Sequence, residues 1–309
     1  MAVHVSDFAR ALDSGRLIVT AEFLPPRGSD PDAVARSAAA LPETLDAVIV
    51  PDNPYEILSS ALSAALLVQR TGRARAVMTM TTRDRNRLAL MSEALGAAAL
   101  GVPAILCVTG NHQSLGICPS AASANDLDSI QCVRMLKGMI LHGSGPDGSR
   151  IEPRPELHVG AVVEPGLRPM ELNLLRMRKK IAAGADFLMT GPVFDLETFR
   201  VWIEAVRAAG FDRRVPIIPA VLPLASAAEA RKLRDRGLYG PVPVDAVSRL
   251  ERAGDPGEAG LDMASHLAAE LKEMPGVRGI HILGSGCAPR IGDLIERAGI
   301  GARDLQAVL

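Results

Sequence analysis

Short apolar, β-branched runs recur along the whole chain, each separated from the next by a helix-like stretch. Strands are expected at Leu17–Phe23, Asp46–Val50, Arg75–Thr81, Pro103–Thr109, Leu157–Val163, Asp186–Thr190, Val215–Leu222 and Arg278–Leu283. Their apolar character is nearly continuous rather than alternating, as in parallel strands buried on both faces. Ala-rich helices are expected between them, at Asp32–Leu41, Ile57–Arg70, Arg85–Leu100, Asp126–Leu141, Glu171–Ala183 and Asp195–Ala209. A helical cluster follows from Ala225 to Glu273, and a last helix from Gly292 to Ala298. Eight strand-then-helix units predict an α/β fold, a (β/α)8 TIM barrel. It is read as one domain over residues 1–309, with an enlarged connection of about 55 residues between the seventh and eighth strands. Gly143–Pro155 reads as a mobile surface loop before the fifth strand. An open doubly wound sheet is the alternative. Its usual GxGxxG after the first strand is missing, since Phe23 is followed by Leu24-Pro25-Pro26-Arg27-Gly28.

Composition narrows the class. The 309 residues carry 34 basic and 35 acidic side chains, a net charge of −1, which argues against a nucleic-acid polycation or a binder of anionic membranes. Only 3% of residues are aromatic, so the core is expected to be aliphatic. Met78, Met80 and Met189 are most simply core filling. The uncharged run from Ala94 to Asn111 is broken by Gly96, Gly101, Pro103 and Gly110 and reads as a helix end followed by a strand, not a membrane span. Residues 1–7 lack the charge pattern of a signal peptide. Four cysteines do not make a disulfide framework, and the spacing of Cys107, His112 and Cys118 matches no common zinc pattern. A reduced, cytoplasmic protein without a metal site is expected.

In such a barrel the chemistry gathers where strands end and βα loops begin. Glu22 stands out: it is an ionisable side chain in an apolar strand, where burial would raise its pKa and suit it to general-acid work. Pairing with Arg or Lys, or exposure at the barrel mouth, is the other reading. Gly110 allows close approach of a ligand to the backbone or forms a plain turn. Arg83–Arg87 could hold a phosphate, though a charged helix start with local pairs is commoner. Lys179 and Lys180 are by default a solvated helix face, and His112 a loop residue without a role. Other strands run into Asp52-Asn53, Glu164-Pro165, Gly191-Pro192 and Pro223. Phe23, Tyr55 and Phe194 are the aromatics near strand ends.

Taken together, these segments resemble the methylenetetrahydrofolate reductase family. The likeness runs through residues 20–29 (TAEFLPPRGS), 82–87 (TRDRNR), 106–113 (LCVTGNHQ), 179–187 (KKIAAGADF) and 216–223 (PIIPAVLP), and is nearest to the short bacterial form that works beside a partner protein. The resemblance implies a barrel that binds FAD and reduces 5,10-methylenetetrahydrofolate to 5-methyltetrahydrofolate. It assigns Glu22 as general acid and Thr109, Gly110, Asn173, Arg176, Lys179 and Lys180 to the cofactor; Phe194, one of the aromatics near strand ends, is expected to contact the substrate. Two positions depart from the family. Asn111, assigned to catalysis and substrate, replaces an Asp; Gly191 replaces a Gln that holds the pterin. Thr79 stands where many members have His, and residues 281–287 (HILGSGC) lack the aromatic nicotinamide-binding stretch.

The resemblance therefore implies an oxidoreductase of one-carbon metabolism, acting on a folate-type small molecule and drawing electrons from a partner protein. FMN, or no flavin, is the alternative to FAD. The runner-up is a reductase-like barrel that binds flavin, folate or a partner without hydride transfer, or acts on a different substrate. Ala-rich outer helices would suit a homo-oligomer.

Overall fold

A computed structural model describes residues 7–53, 57–72, 74–235, 242–284 and 288–301. After a short helix α1 (Asp7–Asp13), eight parallel strands alternate with helices. They are β1 (Ile18–Glu22), α2 (Pro31–Ala39), β2 (Ala47–Val50), α3 (Ala61–Arg70), β3 (Ala76–Thr81), α4 (Arg87–Ala99), β4 (Ala104–Val108) and α5 (Ser129–His142). The second half comprises β5 (His158–Val163), α6 (Met170–Ala182), β6 (Phe187–Pro192), α7 (Leu196–Ala208), β7 (Ile217–Val221), α8 (Ala227–Asp235), α9 (Val244–Arg252), α10 (Pro256–Lys272), β8 (Gly279–Ile282) and α11 (Ala288–Ala298). The strands close in sequence order, with β8 pairing back onto β1 through Thr20–His281 and its neighbours. The fold is the expected (β/α)8 barrel, and the long connection between β7 and β8 holds α8, α9 and α10.

Alternation along each strand sorts the core into two layers. On β1, Val19 and Ala21 point outward into the shell under the helices, whereas Ile18 joins the barrel interior. Thr20 and Glu22, in phase with Ile18, also face inward. Met78 and Met80 fill the outer shell and Met189 the interior. Trp202, Phe187 and Phe199 are fully buried, so the scarce aromatics are spent on packing. Seven of the expected strand starts move one residue inward, and for two of them, Asp46 and Asp186, the reason is the same. The Asp46 carboxylate accepts the Val19 N–H at 2.9 Å, and Asp186 accepts that of Val159 at 2.7 Å, so each aspartate braces its neighbour from outside the ladder.

Side-chain caps set the helix starts. Asp30 accepts the Asp32 N–H ahead of Pro31, Asp128 and Gln131 form a reciprocal capping box, and Asn86 accepts the Ala89 N–H at 3.1 Å. Arg85 pairs with Asp52 and Arg87 with Asp126. The Arg83–Arg87 segment is thus a charged helix start with local pairs. The helix α1 lies where no helix is expected from the pattern: Phe8 meets the edge of Phe187, ring centroids 5.4 Å apart. The Gly143–Pro155 loop contains a turn closed by an isolated bridge between Ser144 and Arg150. Among the described residues no helix is long and apolar enough to cross a membrane.

Candidate active site

At the C-terminal ends of the strands the interior opens into a cavity of about 890 Å³. That volume falls within the roughly 300–1,000 Å³ of small-molecule sites. Seven of the eight strands or the loops after them reach the lining, all but β7, and they contribute Glu22, Asp52, Thr79, Thr81, Thr109 to Asn111, Glu164, Gly191 and His281. On β1, β3 and β5 the inward phase, apolar at the bottom of the barrel, turns polar at the top, at Glu22, Thr81 and Glu164.

Glu22 is buried, and the Gly284 N–H donates to its Oε2 at 3.1 Å. Burial raises its pKa, and the single backbone hydrogen bond opposes this only in part. No cation is placed on it among the described residues, and it is buried rather than exposed at the barrel mouth. On the neighbouring strand His281 Nδ1 lies 3.0 Å from Thr20 Oγ1. Burial lowers the His281 pKa to about 3, so the ring is neutral at ordinary pH.

The wall after β3 and β4 is fixed by Arg83, which pairs with Asp84 and donates to the carbonyls of Asn53 and Asn111 at 3.1 and 2.9 Å. Thr81 Oγ1 donates to the Thr109 carbonyl at 3.1 Å. Gly110 sits at φ +84°, and a Cβ there would overlap Thr81 Oγ1. Only glycine lets the 109–111 backbone lie bare against the cavity. Asn111 lines the cavity beside it.

The opposite wall is built by β5 and β6. Lys180 donates to the Val162 carbonyl. Burial lowers the Lys180 pKa to about 8, so it stays mainly charged at neutral pH. Asn173 Nδ2 donates to the Glu164 carbonyl at 2.7 Å while its Oδ1 accepts the indole N–H of Trp202 at 3.2 Å. The Glu164 side chain projects into the cavity, and burial by the surrounding walls raises its pKa against the pull of Lys180 and Arg176. Gly191 faces it: a Cβ there would lie 2.5 Å from Glu164 Oε2. The β6–β7 ladder shifts register between Met189 and Pro192, and Thr190 Oγ1 bridges the gap by accepting the Ala220 N–H at 3.1 Å.

Of the residues singled out from the sequence, Glu22, Thr109, Gly110, Asn111, Arg176, Lys180, Gly191 and Phe194 come together around the cavity. Asn173 and Lys179 do not line it: Asn173 is a buried brace and Lys179 is exposed on α6. Phe23 packs in the outer shell, not at the mouth, and Tyr55 lies outside the described residues. Glu164 and His281 were not expected as site residues. The signal for both was the inward phase of their strands, which Glu164 shares with Val162 and His281 with Gly279. His112 is exposed and bonded to Ser114. Cys107 is buried and Cys118 exposed, and among the described residues no cluster of three His, Cys, Asp or Glu could hold a metal ion.

A barrel that places a desolvated acid at this end, beside cations and bare backbone, is built for chemistry on a small molecule. The chain belongs to the methylenetetrahydrofolate reductase family, whose model matches residues 7–285. It is 25% identical over 222 residues to 5,10-methylenetetrahydrofolate reductase of Pectobacterium carotovorum, covering 71% of this chain and 68% of that one. It is 34% identical over 104 residues to methylenetetrahydrofolate reductase 2 of Saccharomyces cerevisiae. That match spans 34% of this chain but only 17% of the yeast protein. Among solved structures it superposes, with a TM-score of 0.65 and 14% identity over 94% of this chain and 96% of the other, on a Clostridium thermocellum protein described as binding two copies of 5-methyl-5,6,7,8-tetrahydrofolic acid.

Proposed function

We propose that the chain is a flavin-dependent reductase converting 5,10-methylenetetrahydrofolate to 5-methyltetrahydrofolate. The observation that carries this reading is Glu22, an acid biased toward its protonated form and opening into the cavity. The substrate's five-membered ring must open before its one-carbon unit can be reduced. Glu22 can protonate the departing nitrogen, leaving an iminium carbon as hydride acceptor.

The residues present fit a flavin. Gly110 leaves bare backbone at the cavity wall, where any Cβ would displace Thr81. Arg176 and Lys180 offer positive charge to phosphate, and FAD rather than FMN is the form proposed. Bound there, the flavin supplies the hydride that no side chain can. The chain's own groups do the rest. Glu22 holds the proton, the Gly284 N–H fixes its carboxyl, and Arg83 holds the Asn111 backbone in place. Asn111, in place of Asp, can hydrogen-bond substrate but brings no charge to the iminium. The reducing equivalents are proposed to come from a partner protein in a reduced, cytoplasmic setting.

Single-turnover mixing tests the reading. Protein reconstituted with FAD and reduced with dithionite should be reoxidised by methylenetetrahydrofolate, yielding 5-methyltetrahydrofolate. A flavin that binds but stays reduced would instead favour the binding-only barrel. Rapid NADH oxidation by the chain alone would overturn the partner-donor element.

A further inference from the structure

We propose that Glu164 determines which ring the cavity accepts: its carboxylate, delivered from the end of β5 into the space over Gly191, grips the paired N–H donors of a 2-amino-4-oxopyrimidine edge such as that of a pterin. The inference rests on the folate reading of the site and names the residue that would give it selectivity.

Four observations carry it. Glu164 lines the main cavity, and no hydrogen bond or ion pair to its carboxylate is formed among the described residues; Lys180 and Arg176 act on it only through space. Its carboxylate stays accessible from the cavity and carries no protein partner among the described residues, so a ligand with matching donors gains from pairing with it. Second, the carboxylate rests in space left by Gly191, where a Cβ would lie 2.5 Å from Glu164 Oε2 and push it aside. Gly191 and Glu164 are therefore one device and not a missing contact beside an unrelated acid.

Third, the backbone beneath it is held from both sides. Asn173, locked by Trp202, accepts no freedom at the Glu164 carbonyl, and Lys180 holds the Val162 carbonyl two residues earlier. A carboxylate on so fixed a strand end is pre-organised for two-point binding. Fourth, β5 lies opposite β1 in the closed order, so Glu164 faces the cavity from the wall across from Glu22. A bound ring would have its recognition edge at one carboxylate and its reacting end toward the other. An ionised carboxylate is acceptor-only, and the N3–H and 2-amino group of a pterin present two donors side by side, the match for a bidentate contact. Glu164 lies between the loop carrying Asn111 after β4 and Gly191 on β6, the two positions at which family side chains are absent here.

The experiment is equilibrium binding of 5-methyltetrahydrofolate and of its 2-desamino analogue to FAD-reconstituted wild type, Glu164→Gln, Glu164→Ala and Glu164→Ala/Gly191→Gln. FAD affinity and thermal melting are followed in parallel. Both single variants should bind 5-methyltetrahydrofolate at least 10-fold more weakly while keeping FAD affinity within about twofold. The desamino analogue should bind wild type weakly and be indifferent to residue 164. The double variant should recover part of the loss, because removing Glu164 frees room for a glutamine. Glu164→Gln, nearly the same size, keeps the test valid should Glu164→Ala fail to fold. Folate affinity within twofold of wild type in both single variants would overturn the assignment while leaving the reductase reading standing. Wild type that binds no folate would overturn both.

Discussion

The two ends of the barrel are made by the same strands and follow different rules. At the N-terminal end the inward positions are Ile18, Ala47, Val77, Ala104, Phe187 and Ile218, packed with Phe8, Ala11 and Leu12 of α1 into one apolar plug. Gly160 is there because a Cβ would overlap the Phe187 ring. At the C-terminal end the same inward phase delivers Glu22, Thr81, Glu164 and Gly191 around a cavity. Packing is complete at one end and withheld at the other, and two carboxylates are kept without a cationic partner where filling would be most stabilising. Stability and chemistry are thus separated along the strand by four to five residues.

The largest test of that separation is Glu22→Gln. Loss of the general acid should lower single-turnover reduction by about 10²- to 10⁴-fold. Stability should move the other way. The folded state raises the Glu22 pKa, so its favourable contribution is complete below the unfolded value near 4.5 and is lost as pH rises through the folded value. Above the unfolded value the buried acid costs stability, whether it takes up a proton or is ionised, and glutamine avoids that cost while still accepting the Gly284 N–H. Denaturant melts at pH 7.5 should show the variant at least as stable as wild type; a clearly less stable variant would mean that Glu22 is a structural acid.

The opposite end should respond in the opposite sense. Phe187→Ala removes a fully buried ring and should destabilise by about 3–5 kcal/mol, read as a shift in urea midpoint. Turnover per folded molecule should hold within about threefold. A loss of activity comparable with that of Glu22→Gln would show that the plug and the mouth are not independent.

How much of this was legible in the sequence follows the same division. The strands could be read to within a residue or two because burial on both faces leaves a continuous apolar signal, and even the β6 extension to Pro192 adds only the irregular segment bridged by Thr190. Glu22 was legible because a charge inside such a run is rare. The helix α1 was not, since what makes it a plug is Phe8 meeting Phe187 across the chain. Nor was the split between Lys179 and Lys180, which depends on which turn of α6 faces Val162. Glu164 looked like any acid before a proline until Gly191 showed what space it occupies. Asn173, which the resemblance gave to the cofactor, turns out to brace the strand that carries Glu164.

A third test uses pH. The folded His281 pKa is lowered to about 3, so its contribution to stability is fully present above the unfolded value near 6.5 and is lost as pH falls toward about 3. Wild type should lose about 2 kcal/mol from this residue by pH 5. In a His281→Asn variant the difference from wild type should shrink steadily over that window. A difference that is flat with pH would show that the imidazolium finds a partner inside the barrel.

The smallest effect is the most exacting. If the plug is a packed unit, Phe8 and Phe187 should be coupled beyond the area each buries, because their edge-on rings interact specifically. A double-mutant cycle with Phe8→Leu and Phe187→Leu should give a coupling of about 0.5–1.5 kcal/mol, measured by denaturant unfolding. The same cycle between Phe8 and Glu22, with Glu22→Gln, should give a value near zero, since the two residues sit in different layers of the barrel. Coupling in the second cycle as large as in the first would mean that the strand transmits packing from plug to acid. The lower end would then help to set the chemistry of the upper one.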